Sequence, residues 1–380
     1  MKPTIAILGG GIAGLTAAIA LQKAGLTPIV FEAAETLKPL GAGLVLASNA
    51  MKALDVLEIS DAVTMRGTLL KSFIISDQKG RPLMIKNSKD IKAEYGLDNF
   101  AIHRADLHDV LLSRLKDNPV HTGKRAVSVT QNKNEIQIAF QDGKIHATDF
   151  LIVADGIHSP IRKSLIPSSI PRYAGYTCWR AVVDGTDFDL QEAYETWGLR
   201  GRFGYVPLSG NRLYWFACIN APQQSSSMEQ FRVKDLFRHF NNFHSPIPDI
   251  ISITKDQDLI WSDISDLKPL KQYAFGRIVL IGDAAHATTP NLGQGACMAI
   301  EDAVILANEM GKKGNYEEAF KSYEKRRLKR THNIIKKSRT LGRIAHIENA
   351  LFASMRNLLL RSMPSSLNDK QLKELYNIDF

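Results

Sequence analysis

Three glycines at the spacing G-x-G-x-x-G, Gly9, Gly11 and Gly14, interrupt an apolar run that extends from Ile5 to Leu21. Without them the run would read as a membrane span or a signal peptide. They point away from both, because they fall where a strand (Thr4 to Leu8) hands over to a helix (Ile12 to Ala24, closed by Gly25), and Pro28 to Glu32 then supplies a second strand. In such a βαβ unit the first glycine permits a tight turn, the second lets backbone approach a pyrophosphate, and the third lets helix pack closely on strand. Glu32 ends the second strand about 20 residues after the turn, where a carboxylate accepts hydrogen bonds from ribose hydroxyls. Ala13 inside the turn and Ala33 after the second strand belong to the same candidate cradle. The unit predicts dinucleotide binding but does not separate FAD from NAD.

Strand and helix signals then alternate less regularly. A polar insert from Ser76 to Asn99 separates two segments of cofactor-site character, so the fold is expected to be discontinuous in sequence. From Tyr173 to about Trp261 the pattern turns aromatic and alternating, as in Arg202 to Val206 and Arg212 to Ile219 joined across Ser209, Gly210 and Asn211, which predicts an antiparallel sheet. A short apolar strand returns at Arg277 to Gly282, followed by a glycine loop and a helix with Ile300, Ala303, Val304 and Ala307 on one face.

Composition narrows the class. With 44% hydrophobic and 23% charged residues the 380-residue chain can bury a substantial core. Its three cysteines, Cys178, Cys218 and Cys297, form no CxxC pair, which argues against a disulfide framework or a zinc site and fits the cytoplasm. The net charge of +9 is concentrated between Lys321 and Arg339. That stretch lacks the interleaved aromatics of a base-stacking surface, so it is expected to be a solvated helix face rather than a nucleic-acid site. The amphipathic stretch Leu351 to Leu360 is expected to pack over the catalytic domain, the alternative being contact with a membrane or a lipophilic substrate, and no integral membrane association is expected.

Two later motifs decide between the cofactors. LIVADGIHSPIR (Leu151 to Arg162) and RIVLIGDAAHATTPNLGQG (Arg277 to Gly295) closely resemble the second and third motifs of the single-component class A flavoprotein monooxygenases, the flavin aromatic hydroxylases. The resemblance extends through GAGLVLASNAMKALDVL (from Gly41), HRADLHDVLL (from His103) and YEKRRLKR (from Tyr323), and so covers nearly the whole chain. It implies FAD, with NADPH or NADH docking transiently as co-substrate, since only one Rossmann fingerprint occurs. The implied fold is α/β: a Rossmann-like FAD-binding domain of the GR2 type (1–72, 98–172 and 270–340), an inserted antiparallel-sheet substrate domain (73–97 and 173–269), and a C-terminal helical segment (341–380). Asp283, presented at a strand's carboxyl end, would bind the ribityl hydroxyls. The loop carrying Pro290, Gly293, Gln294 and Gly295 would lie against the flavin pyrimidine edge at a helix N-terminus, which stabilises negative charge there. Asp155 would contact cofactor, with Arg162 supporting its turn, and Arg104 matches the arginine on the pyrophosphate side. The loop from Gly41 through Gly43 to Val45 would pass the flavin ring.

The implied reaction is hydride transfer from NAD(P)H to FAD, then dioxygen addition to give a flavin hydroperoxide that hydroxylates or epoxidises an aromatic or polycyclic small molecule. A monomer or homodimer is expected. GYTCWRAVV (from Gly175), RFGYVPL (from Arg202) and RLYWFA (from Arg212) resemble the branch with urate hydroxylase, salicylate-type hydroxylases and zeaxanthin epoxidase. Arg202 and Tyr214 match the arginine and tyrosine that urate hydroxylase places on substrate: Arg202 would hold an anionic oxygen, and Tyr214 would orient or deprotonate a ring hydroxyl. Asn291 stands in the pocket where urate hydroxylase has an aspartate, and an asparagine is neither acid nor base, so a substrate other than urate is expected. Of Phe203, Tyr205, Trp215 and Phe216, half must face away from any pocket. The competing readings are a flavin reductase or oxidase of the same fold and a flavin-bearing binding protein without turnover.

Overall fold

The computed structural model describes residues 3–37, 42–96, 98–117, 120–312, 314–364 and 372–380. Ile5–Leu8 sits inside a six-stranded sheet, flanked by Pro28–Phe31 and Val120–His121 on one side and by Phe150–Val153, Ile278–Leu280 and Ala274–Phe275 on the other. All pair in parallel except the last. Parallel strands covered on both faces read as short continuous apolar runs, which is the texture these segments have. Helices Ile12–Lys23 and Gly295–Lys312 pack on each other beside this sheet.

The glycine turn is built by contact as well as by dihedral. Gly9 adopts a φ of +107°, and a Cβ there would lie 2.3 Å from the Ala154 carbonyl oxygen, so the turn also seats the end of the neighbouring strand. A Cβ on Gly14 would stand 1.9 Å from the Gly9 carbonyl oxygen. Glycine at both positions is therefore a packing requirement.

The second large sheet has seven strands, in the order Ile260–Leu267, Pro171–Asp184, Arg212–Asn220, Gly201–Leu208, Ala193–Gly198, Ser72–Asp77 and Pro82–Asn87. The polar insert thus begins inside an edge hairpin and continues into helix Ser88–Tyr95. The α/β class and the antiparallel texture expected from the pattern are the ones observed, with one parallel pairing, between Ala193–Gly198 and Ser72–Asp77. Period-two alternation sorts the side chains. Trp179, Phe203, Tyr205 and Trp215 are buried together with helices Val233–Phe240 and Ile247–Ser252, whereas Cys178, Arg180, Arg202, Tyr214, Phe216 and Cys218 line a cavity on the other face. Of the four aromatics considered for the pocket, only Phe216 faces it.

Of two expectations about the C-terminal third, one needs correction and one refinement. Helix Tyr316–Ala345, about 45 Å long at 1.5 Å per residue, carries the basic run, but that run is not simply a solvated face. Arg327 is fully buried, bonding Glu301 and Asp302 at 2.6 Å each, while Arg330 pairs with Glu301, Arg326 with Glu309 and Arg339 with Asp266. The charges serve as inward struts because Gly295–Lys312 brings Glu301, Asp302 and Glu309, and Ile260–Leu267 brings Asp266, to the same helix. The last helix, Ala350–Arg361, packs over the rest of the molecule as expected but through one side alone, by Ala353, Arg356, Leu360 and the Arg361–Asp77 ion pair, leaving Leu351, Leu358 and Leu359 exposed. Among the described residues, no helix is long and apolar enough to cross a membrane.

Candidate active site

Residues of both large sheets enclose a cavity of about 1400 Å³. That exceeds the roughly 300–1000 Å³ of a site for one small ligand, so it has room for two. One end is the glycine turn. Gly9, Gly11 and Ala13 line it, while Gly14 lies behind in the helix packing already described. A Cβ added at Gly11 meets nothing within 4 Å, so it would fill cavity rather than clash with protein. The helix that begins at Ile12 has no side-chain cap and no acidic residue in its first turn, which leaves its first N–H groups and positive dipole end for an anion.

Glu32 stands beside this turn. Its Oε2 accepts from the Gly10 N–H at 2.6 Å and its Oε1 from the Ala34 N–H at 2.7 Å. The two bonds orient the carboxylate, and each oxygen keeps a second acceptor position. Ala33 continues the wall.

Asp155 and Asp283 follow adjacent strands and reach the same cavity. Asp155 Oδ1 is buried without a hydrogen-bond partner, and burial pushes the carboxyl up to about 6. Asp283 is open to the cavity yet walled round by protein, and this burial raises its carboxyl above the ordinary range against the opposing pull of His286, Arg104 and Arg162. Arg162 supports both turns: it donates to the carbonyl oxygens of Ile157 at 2.5 Å and of Gly156 and Ala284 at 3.4 Å each. Arg104 lines the cavity from the start of helix Arg104–Ser113. His286 is held by Asp302 at 2.6 Å in the core beneath, as a structural residue.

Pro290, Gly293, Gln294 and Gly295 form the opposite wall. Gly293 needs its left-handed φ of +63° to deliver the chain into helix Gly295–Lys312. Gln294 is fixed by Asn49, whose Nδ2 donates to Gln294 Oε1 at 2.9 Å and to Glu301 Oε1 at 2.5 Å. Gly41 lies outside the described residues; Gly43 and Val45 line the cavity. The space Gly43 leaves is occupied by Tyr214, whose ring Cδ1 would be 2.6 Å from a Cβ there.

A family model described as FAD binding domain matches residues 2–338. The aurachin C monooxygenase/isomerase of Stigmatella aurantiaca is 35% identical, over 99% of this chain and 98% of its own length. The chain belongs to the FAD-dependent aromatic monooxygenases. The 2-heptyl-3-hydroxy-4(1H)-quinolone synthase of Pseudomonas aeruginosa is 32% identical over 98% of this chain and 97% of the relative. Klebsiella pneumoniae HpxO, solved with FAD and uric acid, superposes with a TM-score of 0.90 at 27% identity, covering 99% and 97% of the two chains.

The cavity of this monooxygenase fits FAD. The open backbone at Gly11, the uncapped helix, the oriented Glu32 and the orphaned Asp155 Oδ1 are groups that a dinucleotide's pyrophosphate and hydroxyls would satisfy. The far end of the cavity departs from the roles drawn from the motifs. Arg202 is 2% exposed and bonds Glu195 Oε1 at 2.8 Å, with its Nη2 on Asn291 Oδ1. Its charge is thus already met by a carboxylate. Asn291 is saturated too: Oδ1 also accepts from Tyr176 Oη at 3.0 Å, and Nδ2 donates to Thr289 Oγ1 at 2.9 Å and to the Ser338 carbonyl at 2.8 Å. Gly342 makes room for it, since a Cβ there would stand 2.4 Å from Asn291 Nδ2. Burial raises the Tyr214 hydroxyl above its ordinary range against the pull of the neighbouring Arg180, which favours its neutral, hydrogen-bond-donating form.

Arg180 was missed in the sequence. It lies on the same sheet face, opposite Phe216 in register, lines the cavity and donates to Ser262 Oγ at 3.1 Å. Among the described residues it has no carboxylate partner. Glu195 was missed as well, although alternation from Arg202 would have brought attention to this strand had its pairing been known. Cys178 and Cys218 face each other across the strands as free thiols in the cavity wall.

Proposed function

We propose that the protein hydroxylates a bicyclic heteroaromatic substrate that carries an apolar side chain, using FAD, NAD(P)H and dioxygen. The observation that carries this reading is the polarity of the substrate end: a cation without a carboxylate partner, Arg180, next to the protonated Tyr214, with Phe73, Ile75, Met84, Leu341 and Leu360 lining the remainder. The names of two relatives similar over nearly the whole chain, one a heptyl-quinolone synthase, support the same chemistry.

The cofactor roles assigned to Gly9, Gly11, Glu32, Arg104, Asp155, Asp283 and the loop from Pro290 to Gly295 belong to this proposal, as does the three-segment cofactor domain. When bound, FAD would supply hydride acceptance from NAD(P)H and delivery of one oxygen atom of dioxygen to the ring, the other leaving as water with a proton from solvent. The chain's own work is placement. Arg180 holds the substrate's ring oxygen as an anion, which makes the adjacent ring carbon more nucleophilic. Tyr214 donates a hydrogen bond to the same edge, Phe216 supplies a flat apolar surface, and the apolar residues keep water out. Arg202, Glu195 and Asn291 set the position of the strands around it.

The test is NAD(P)H oxidation by the FAD-loaded protein with 2-heptyl-4(1H)-quinolone and simpler phenols, with mass spectrometry of products. Substrate-stimulated oxidation with one added oxygen is expected. Oxidation that yields only peroxide with every aromatic compound would reject the reading. Arg180→Gln should raise KM about 10–100-fold, the worth of one charge-assisted hydrogen bond, with FAD content unchanged; an unaltered KM would remove Arg180 from the site without touching the reaction.

A further inference from the structure

Leu351, Phe352, Met355, Leu358 and Leu359 stand at i, i+1, i+4, i+7 and i+8 of helix Ala350–Arg361 and so form a single stripe. In a helix that covers a core this stripe faces inward. Here its five members are between 53% and 67% exposed, and the opposite side is buried. Arg356 is the buried anchor, donating to the carbonyl oxygens of Ile344 at 3.0 Å and Ala345 at 3.2 Å with its guanidinium 5.2 Å from the Trp197 ring centre. Ile85, exposed on the strand against which this helix packs, and Ile344 add to the apolar surface.

We propose that this stripe docks the protein on an anionic lipid bilayer, as a helix lying in the plane of the interface. The five side chains of the stripe are all apolar, with the polar Ser354 and Asn357 beside it on the same helix. Two observations select lipid. Lys336 and Arg343, on the helix that leads into it, are exposed and have no acidic partner among the described residues, and outweigh the one carboxylate just ahead of the stripe, Glu348; with a net charge of +9 the chain is attracted to acidic headgroups. Finally, Ile344, Leu360 and Met363, which border the stripe in sequence, line the cavity. One apolar segment therefore serves both the outer surface and the cavity wall. An amphipathic helix of this kind sinks its apolar side roughly 5–10 Å below the headgroups without crossing.

The FAD-loaded full chain is floated on a density gradient with vesicles of phosphatidylethanolamine and phosphatidylglycerol, with phosphatidylcholine vesicles, and without lipid. Flotation with the anionic vesicles is expected, weakened by high salt and by phosphatidylcholine. Leu351→Glu/Leu358→Glu should weaken it at least about tenfold, as removal of two buried leucines requires, with flavin content unchanged; Leu351→Gln/Leu358→Gln repeats the comparison without added charge. Absence of wild-type flotation, or equal flotation by both double variants, overturns the proposal. So does a lipid-free dimer in sedimentation velocity that the same variants dissociate, which would make the stripe a contact between two copies. Flotation is scored without substrate, so it stands or fails separately from the hydroxylation reading.

Discussion

Arg202 and Glu195 are both buried in the cavity wall, where they hold each other. Their 2.8 Å bond is reinforced by Trp197, whose Nε1 donates to the same Glu195 oxygen at 2.8 Å. Removing one partner of such a pair strands the other and costs about 3–5 kcal/mol. Arg202→Met and Glu195→Gln should each lower the unfolding free energy in urea by that order, and Arg202→Met/Glu195→Gln should recover much of the loss. Simple additivity of the two single losses would show that they do not act as one unit. Arg180 presents the opposite case, a guanidinium set beside Ser262, the Cys178 thiol and the Tyr214 hydroxyl, with no carboxylate partner among the described residues. In the sequence the two arginines are indistinguishable in kind, since whether a cation is neutralised depends on what the fold places beside it.

Elements were legible where their determinants are local. The strand, glycine turn and helix from Ile5 to Lys23 could be placed because a φ of +107° at Gly9 and the absent side chain at Gly14 leave a pattern within a few residues. Helix Tyr316–Ala345 was harder, because its basic residues look alike until Glu301, Asp302 and Asp266 are brought to one side of it. Its C-terminal end carries a pH dependence. His346 stacks on Tyr176 with ring centres 4.1 Å apart, its Nδ1 bonds the Gly342 carbonyl at 2.9 Å, and its Nε2 is buried without a partner. Burial, helped by the nearby Arg202 charge, pushes its pKa down to about 3. The unfolded chain takes up this proton below about 6.5 and the folded chain does not until about 3, so stability present above pH 6.5 is lost progressively as pH falls, by roughly 1.4 kcal/mol per unit. Between pH 7 and pH 5 this group alone should cost about 2 kcal/mol in chemical denaturation. His346→Phe should flatten that slope, and an unchanged slope would mean that other groups set it.

At the scale of the whole molecule, the cavity is walled by both large sheets, so what fills it links them. FAD should therefore raise the thermal midpoint, by about 2.7 kcal/mol of stability when free FAD is 100 times its Kd. Glu32→Ala should shrink that rise and release flavin during gel filtration, because it removes both the acceptor proposed for the cofactor and the bonds to Gly10 and Ala34 that shape the turn. Full flavin retention would refute its role. Local pattern was sufficient for the dinucleotide turn and the α/β class, and the resemblance of two further short motifs, around Asp155 and Asp283, for FAD and the family, because glycine turns and strand-end carboxylates are encoded within single short segments. Which arginine in the cavity meets a carboxylate, and which side of the last helix faces out, were decided only by tertiary structure. Arg202 and Asn291 lie 89 residues apart, and no property of either segment alone reports the bond between them.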